Sequence, residues 1–212
     1  MNTGLHSVTI KRGRTKSEEK REQIIAAASA LFLEQGYESC SMEEIAKLAG
    51  VSKQTLYSHF GSKEVLFSTA VEVTCARYHI WDEFDADTHF EKRLEAFCIN
   101  FSELLVSREA TGVMRACIAD AGRSQVAALF WQAGPAKLRR QLSEFLAQQH
   151  HLGTLHIDDI KIATTQLIAM LHSEHHTCSL LGLSDPADQA DLRAYARSCA
   201  RVFIAAYETR PA

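Results

Sequence analysis

Residues 41–63, SMEEIAKLAGVSKQTLYSHFGSK, decide the fold. Ser41 followed three residues later by Glu44 is a capping box, which predicts a helix starting at Met42. Ile45, Leu48 and Ala49 then share one face, and Gly50 stands where a left-handed residue ends a helix without Cβ strain. Val51 fills the turn and Ser52 caps a second short helix. On that helix Leu56 and Phe60, at i and i+4, point inward. Lys53, Gln54, Thr55, Tyr57, Ser58 and His59 are left to face outward. An apolar back with a front of donors, acceptors and an aromatic hydroxyl suits insertion into a DNA major groove. Helical bundles with a glycine turn share part of this pattern. The coincidence of the cap box, the turn, the second cap, the inward pair and a third cap at Ser62 favours DNA.

Upstream, the spacing predicts a helix over 17–35, with Ile24, Ile25, Ala28, Leu31 and Phe32 as its apolar stripe and Gly36 as its stop. Residues 20–67, KREQIIAAASALFLEQGYESCSMEEIAKLAGVSKQTLYSHFGSKEVLF, closely resemble the N-terminal DNA-binding domain of TetR-type transcriptional regulators. The stretch ADAGRSQVAALFWQAGPAKLRRQL, further along, is similar to the C-terminal domain of the AefR-like subgroup. The resemblance implies an all-α fold, with a three-helix helix-turn-helix head and a helical ligand-binding and dimerisation body. It divides the chain into a basic flexible arm (1–16), the head (17–63) and the body (64–212).

The 212 residues carry a formal net charge of −3, which by itself does not point to nucleic acid. Its distribution does. Residues 1–21 hold six basic side chains (Lys11, Arg12, Arg14, Lys16, Lys20, Arg21) against Glu18 and Glu19, a local net of +4 that leaves −7 for the rest. A basic arm on an acidic body fits a DNA-binding head with a regulatory domain, and such an arm orders on DNA. No apolar run reaches the roughly twenty residues that span a bilayer. The segment MNTGLHSVTIKRGR lacks the continuous apolar core of a signal peptide, so the expected location is the cytoplasm and no membrane partner is expected. Cys40, Cys75, Cys98, Cys117, Cys178 and Cys199 form no C-x-x-C pair and are expected as reduced, apolar side chains.

A helix from Ser62 to about residue 81 should carry Val65, Leu66, Ala70, Val73 and Ala76 inward, and the resemblance makes it the link between head and body. Further helices are expected at about 88–106, 108–121, 124–149, 157–181 and 187–208. Gly134-Pro135 should interrupt the third of these, because proline removes a backbone donor. Two stripes on 157–181, one of Ile160, Thr164, Leu167, Leu171 and Cys178, the other of Ile162, Thr165, Ala169, His172 and His176, predict a helix buried between two partners. The last helix alternates Leu192, Tyr195, Val202 and Phe203 with small Ala196, Cys199, Ala200 and Ala205, which permit close helix approach. These two helices belong either to one monomer's core or, as the resemblance implies, to a four-helix bundle between two subunits. Paired heads on a palindromic double-stranded operator favour the homodimer.

Candidate DNA-binding residues are Ser41, Ser52, Lys53, Gln54, Thr55, Tyr57, His59, Lys63, Arg12 and Arg14. Tyr57 is expected on a phosphate through its hydroxyl, against the alternative of a tyrosine packed on the first helix. The resemblance makes Lys63 a phosphate contact, in a first helical turn where the dipole disfavours a cation. Lys53, Gln54, Thr55 and His59 are candidates for base edges. Candidates for an effector pocket are Trp81, Phe97, Phe101, Met114, Cys117, Phe130, Trp131 and Met170, against the plain alternative of core packing. His172, His175 and His176, with Glu174 and Cys178, raise a metal-dependent sensor or enzyme as an alternative. H-S-E-H-H is not the metallohydrolase pattern and its third ligand is undefined, so no metal or other cofactor is expected. No nucleophile–base motif, phosphate loop or dinucleotide fingerprint is present, so an enzyme is not expected. The expected function is a DNA-binding regulator, a repressor released by a small-molecule effector. A DNA-binding factor without an inducer is a further alternative.

Deleting residues 1–16 removes Lys11, Arg12, Arg14 and Lys16 and should flatten the salt dependence of duplex binding, by about 0.9 in slope per lost phosphate contact. An unchanged slope of log affinity against log salt would show that the arm does not touch DNA.

Overall fold

The computed structural model describes residues 15–80, 82, 89–183 and 189–209. The arm residues Lys11, Arg12 and Arg14, together with Trp81 and Ser184-Asp185-Pro186, lie outside them. Among the described residues the secondary structure is helical apart from one isolated bridge between Leu155 and Glu208, and no helix is long and apolar enough to cross a membrane.

The head comprises α1 (Lys16–Gln35), α2 (Met42–Leu48) and α3 (Lys53–Phe60). Helix α1 begins one residue earlier than its spacing predicts, because Thr15 and Glu18 form a reciprocal capping box. Its predicted stripe is buried: Ile24, Ile25, Ala28, Leu31 and Phe32 meet Ile45 of α2 and Leu56 and Phe60 of α3 in one core. Phe32, Tyr37 and Phe67 close that core as an aromatic cluster, with centroids 5.0 to 5.7 Å apart and two of the three contacts edge-on. Leu48, expected inward, is exposed: α2 turns Met42, Ile45 and Ala46 to the core, and a helix of seven residues has no further turn to cover Leu48.

Helix α4 (Lys63–Arg77) leads out of the head. It buries Leu66, Phe67, Ala70, Val71 and Cys75, a face rotated from the predicted one, so Val65 and Ala76 are exposed. The body follows as α5 (Phe90–Val106), α6 (Arg108–Ala119), α7 (Val126–Ala133), α8 (Pro135–His151), α9 (Ile160–Leu171), α10 (Glu174–Leu181) and α11 (Gln189–Tyr207). The chain breaks at Gly134 as expected, and Pro135 opens α8 at the first helical position, where its missing N–H costs nothing.

The predicted helix 157–181 is two helices. His172 leaves the helical region at ψ 61° and Ser173 is extended, after which Glu174 starts α10. Ser173-Glu174 is a helix-start signal, a capping residue type followed by an acid in the first turn, hidden by the two apolar stripes on either side of it. On α9 one stripe is buried (Thr164, Leu167, Leu171) and the other (Ile162, Thr165, Ala169) faces solvent.

Helix α11 packs along α5. The pairing is fixed at its edge by Arg193 Nε to Glu103 Oε1 at 2.6 Å and Arg197 Nε to Glu95 Oε1 at 3.1 Å. The small residues Ala196, Cys199 and Ala200 lie in this intramolecular seam, each at most 4% exposed, while Tyr195, Val202 and Ala205 remain on the outer face. The close approach read from these small residues is therefore to α5 of the same chain.

Head meets body where α6 crosses α1. Gly112 makes this possible: a Cβ there would fall 1.9 Å from Leu33 Cδ1. Gly112→Val should cost about 1–3 kcal/mol, read as a lower Tm in thermal unfolding, because overpacking forces Leu33 aside. Adding Leu33→Ala to that variant should recover most of the loss; a double variant no more stable than Gly112→Val would show that Leu33 is not what limits the approach.

Candidate nucleic-acid interface and cavity

The outward surface of α2 and α3 is held by local hydrogen bonds before any ligand arrives. Ser41 Oγ accepts from the Glu44 N–H at 3.1 Å, while the Ser41 N–H and hydroxyl both donate to Glu44 Oε2 at 2.8 Å. These bonds hold the Glu44 carboxyl below its usual range. Between the helices Gly50 takes φ +66°, and the Val51 N–H donates to Ala46 O at 3.0 Å, closing the turn. Ser52 then caps α3 by accepting from the Thr55 N–H at 3.1 Å, and its hydroxyl shares a hydrogen with Thr55 Oγ1 at 2.8 Å.

The front of α3 follows its spacing except at Thr55 and His59, both expected outward. Gln54, Tyr57 and Ser58 are exposed, Thr55 and His59 are half-buried, and Leu56 and Phe60 are inside. Tyr57 is 42% exposed, so its ring is not packed away on α1. Lys53 makes an exposed ion pair with Glu43 of α2, which raises the lysine pKa. The arrangement leaves Lys53 tethered at the edge of the surface while Gln54 and Tyr57 project from it. Arg21 of α1 lies with its guanidinium 5.5 Å from the Phe60 ring centroid, adding a cation beside α3.

Lys63 is placed differently from a solvated phosphate ligand. Its Nζ donates to Tyr37 O at 2.8 Å and Cys40 O at 3.0 Å, and sits 4.3 Å from the Tyr37 ring centroid. The ammonium thus satisfies carbonyls of the α1–α2 turn and ties α4 to it. Burial, followed by the charges of Glu64 and Glu38, pushes the Tyr37 phenol up to about 12.

Behind the head lies a cavity of about 450 Å³. Of the residues singled out for a pocket, Phe101, Met114, Cys117, Phe130 and Trp131 line it. Phe97 and Met170 do not: Phe97 is buried behind Phe101, with centroids 5.7 Å apart, and the Met170 carbonyl accepts from the Tyr195 hydroxyl at 2.9 Å. Sequence reasoning missed the head's share of the wall. Phe32 and Leu33 of α1, and Val71 and Cys75 of α4, line the same space as the body residues. Their stripes are legible in the sequence, but a stripe does not say that its neighbour is a void.

The histidines separate. His172 and His176 line the cavity edge to face, with centroids 4.9 Å apart, whereas the His175 ring lies 5.8 Å from that of Tyr195. No group of three or more His, Cys, Asp and Glu among the described residues is placed to hold a metal ion.

A helix-turn-helix head, wedged by its first helix against a helical body that encloses an apolar cavity, defines the class of DNA-binding regulators with an internal ligand space. Comparison with known proteins agrees. Residues 24–70 match the bacterial regulatory proteins of the tetR family, and residues 92–209 match the C-terminal domain of AefR-like transcriptional repressors. The chain belongs to the TetR family of transcriptional regulators. Among solved structures, a TetR-family regulator from Mesorhizobium loti superposes with a TM-score of 0.73 at 28% identity, covering 92% of this chain and all of that one. The flavonoid-responsive regulator FrrA superposes with a TM-score of 0.67 at 31% identity, covering 91% of this chain and 98% of that one. The transcriptional activator FasR of Mycolicibacterium smegmatis is 44% identical over 59 residues, which span 28% of this chain and 27% of FasR.

Replacing Lys63 with Met should lower head stability by about 1–3 kcal/mol, because three carbonyls of the α1–α2 turn lose their donor. Thermal unfolding checks this. An unchanged Tm with weakened DNA binding would make the side chain a phosphate ligand rather than a clamp.

Proposed function

We propose that the chain is a homodimeric repressor that binds a palindromic double-stranded operator in the cytoplasm and is released by a small, largely apolar effector. The observation that carries this reading is the shared wall. Phe32 and Leu33 of the head's first helix line the same cavity as Phe101, Met114 and Trp131 of the body. A molecule that fills the cavity therefore touches both domains, and it shifts the head wherever it binds one arrangement better than the other. FrrA, 31% identical over nearly the whole chain, is flavonoid-responsive, which supports an effector of comparable character. The repressor sense rests on the body. The AefR-like repressor domain matches residues 92–209, whereas the match to the activator FasR spans only about a quarter of either chain.

In this reading Tyr57 places its hydroxyl on a phosphate, Gln54, Lys53, Thr55 and His59 approach base edges, and Ser41, Ser52 and the arm residues Arg12 and Arg14 add backbone contacts. Lys63 contributes by holding the turn that carries α2. No catalytic step and no metal enters the mechanism. The dimer forms on the open faces of α9 and α11, where Ile162 is 53% and Val202 54% exposed.

An operator selected by the full-length protein from a random duplex pool provides the assay. Tyr57→Phe should weaken binding about threefold to tenfold, and similarly on selected and random duplexes, since a phosphate contact carries no sequence information. Unchanged affinity for both, with the dimer intact, would contradict the phosphate role. Ile162→Glu with Val202→Glu should give a folded monomer by light scattering that has lost most operator affinity, because each head reads one half-site. A dimer of normal affinity would place the interface elsewhere.

A further inference from the structure

The cavity is walled by apolar side chains except at a few points, and two of these are the neighbouring imidazoles of His172 and His176. His176 is 9% exposed and lines the cavity, yet its ring has no hydrogen bond to any described residue. Its ring contact is the edge-to-face packing on His172. The His172 Nδ1 donates to Ile168 O at 2.9 Å, which leaves Nε2 as the ring nitrogen open to a ligand. Phe101 packs on the His172 ring at 5.9 Å, fixing its orientation from the body side.

With no hydrogen bond to a described residue, the His176 ring remains available to a molecule that enters the cavity. Burial, followed by the neighbouring His172, holds the His176 pKa below its ordinary value and so favours its uncharged ring. A neutral imidazole offers one N–H donor and one lone pair, the complement of a hydroxyl, which donates and accepts at once. The charged side chains of the described lining are Glu109 and Arg139. Arg139 is already engaged, with its guanidinium 5.7 Å from the Trp131 ring centroid and 3.5 Å from the exposed Thr165 hydroxyl.

We infer that His172 and His176 are the polar recognition site of the cavity, taking the uncharged hydroxyl of an otherwise apolar ligand. This rests on the reading of the cavity as an effector site and names the chemistry of its ligand. The apolar wall supplies affinity for the ligand's body, and the histidine pair fixes which end enters and rejects molecules without the hydroxyl. A fully apolar ligand leaves the His176 ring without a hydrogen bond, and a carboxylate at this end meets an imidazole whose burial disfavours the charged form.

The test uses three probes of one shape: biphenyl, 4-phenylphenol and biphenyl-4-carboxylate, each titrated into the full-length dimer without DNA and followed by ligand-detected NMR. The expected result is roughly tenfold tighter binding of 4-phenylphenol than of biphenyl, the size of one good buried hydrogen bond, with the carboxylate no better than biphenyl. His176→Leu should abolish that preference while leaving biphenyl affinity unchanged and Tm no lower, which a merely structural histidine would not allow. Should His176→Leu fail to fold, His172→Leu, at an exposed position, is expected to reduce the preference in the same way. Equal binding of biphenyl and 4-phenylphenol overturns the histidine assignment and leaves the effector cavity standing. The carboxylate binding tightest overturns it in favour of Arg139. No binding of any probe overturns it together with the cavity reading.

Discussion

Phe32 faces two ways at once, and the rest of the structure depends on that. Its ring closes the head core against Tyr37 and Phe67, and it also forms part of the cavity wall. Helix α1 is therefore a shared wall: its buried stripe supports the recognition helix through Leu56 and Phe60, while Leu33, on its next position, meets α6 across Gly112. Close-packed side chains shift between discrete arrangements rather than deform smoothly. Under the proposed function, a change of volume in the cavity is carried into the placement of the head through the same contacts that stabilise it.

The recognition surface is rigid for a different reason. Its backbone is fixed by capping boxes, a glycine turn and a clamped α1–α2 turn, all of which satisfy polar groups locally. The front of α3 is consequently free to carry side chains chosen for DNA rather than for folding. Ser41 illustrates the economy: its hydroxyl already donates to Glu44 and accepts from the Glu44 N–H, so its structural role is complete without a phosphate.

What the sequence revealed and what it hid follow from the range of each interaction. The capping boxes, the turn at Gly50 and the break at Gly134-Pro135 depend on residues within five positions of one another, and all were legible except the box at Thr15. Lys63 was not, because its carbonyl partners are 23 and 26 residues away. The small residues of α11 announced a close helix approach but not its partner; the ion pairs from Arg193 and Arg197 to α5 decide that it is intramolecular. The single helix expected over 157–181 failed because two apolar stripes happened to run in phase across Ser173. Five of the eight pocket residues were placed by their apolar character alone, but the wall contributed by α1 was invisible, since the same stripe also fills the head core.

In the proposed function, ligand in the cavity and operator on the head compete through one shared wall. Reciprocal linkage tests it directly. The affinity of 4-phenylphenol for the free dimer is compared with its affinity for the dimer saturated with operator. Binding to the operator complex should be weaker, by a factor in the range of about 5 to 150 typical of allosteric coupling, with the same factor for the loss of operator affinity at saturating ligand. Equal affinity of the ligand for the free and operator-bound dimer would contradict it.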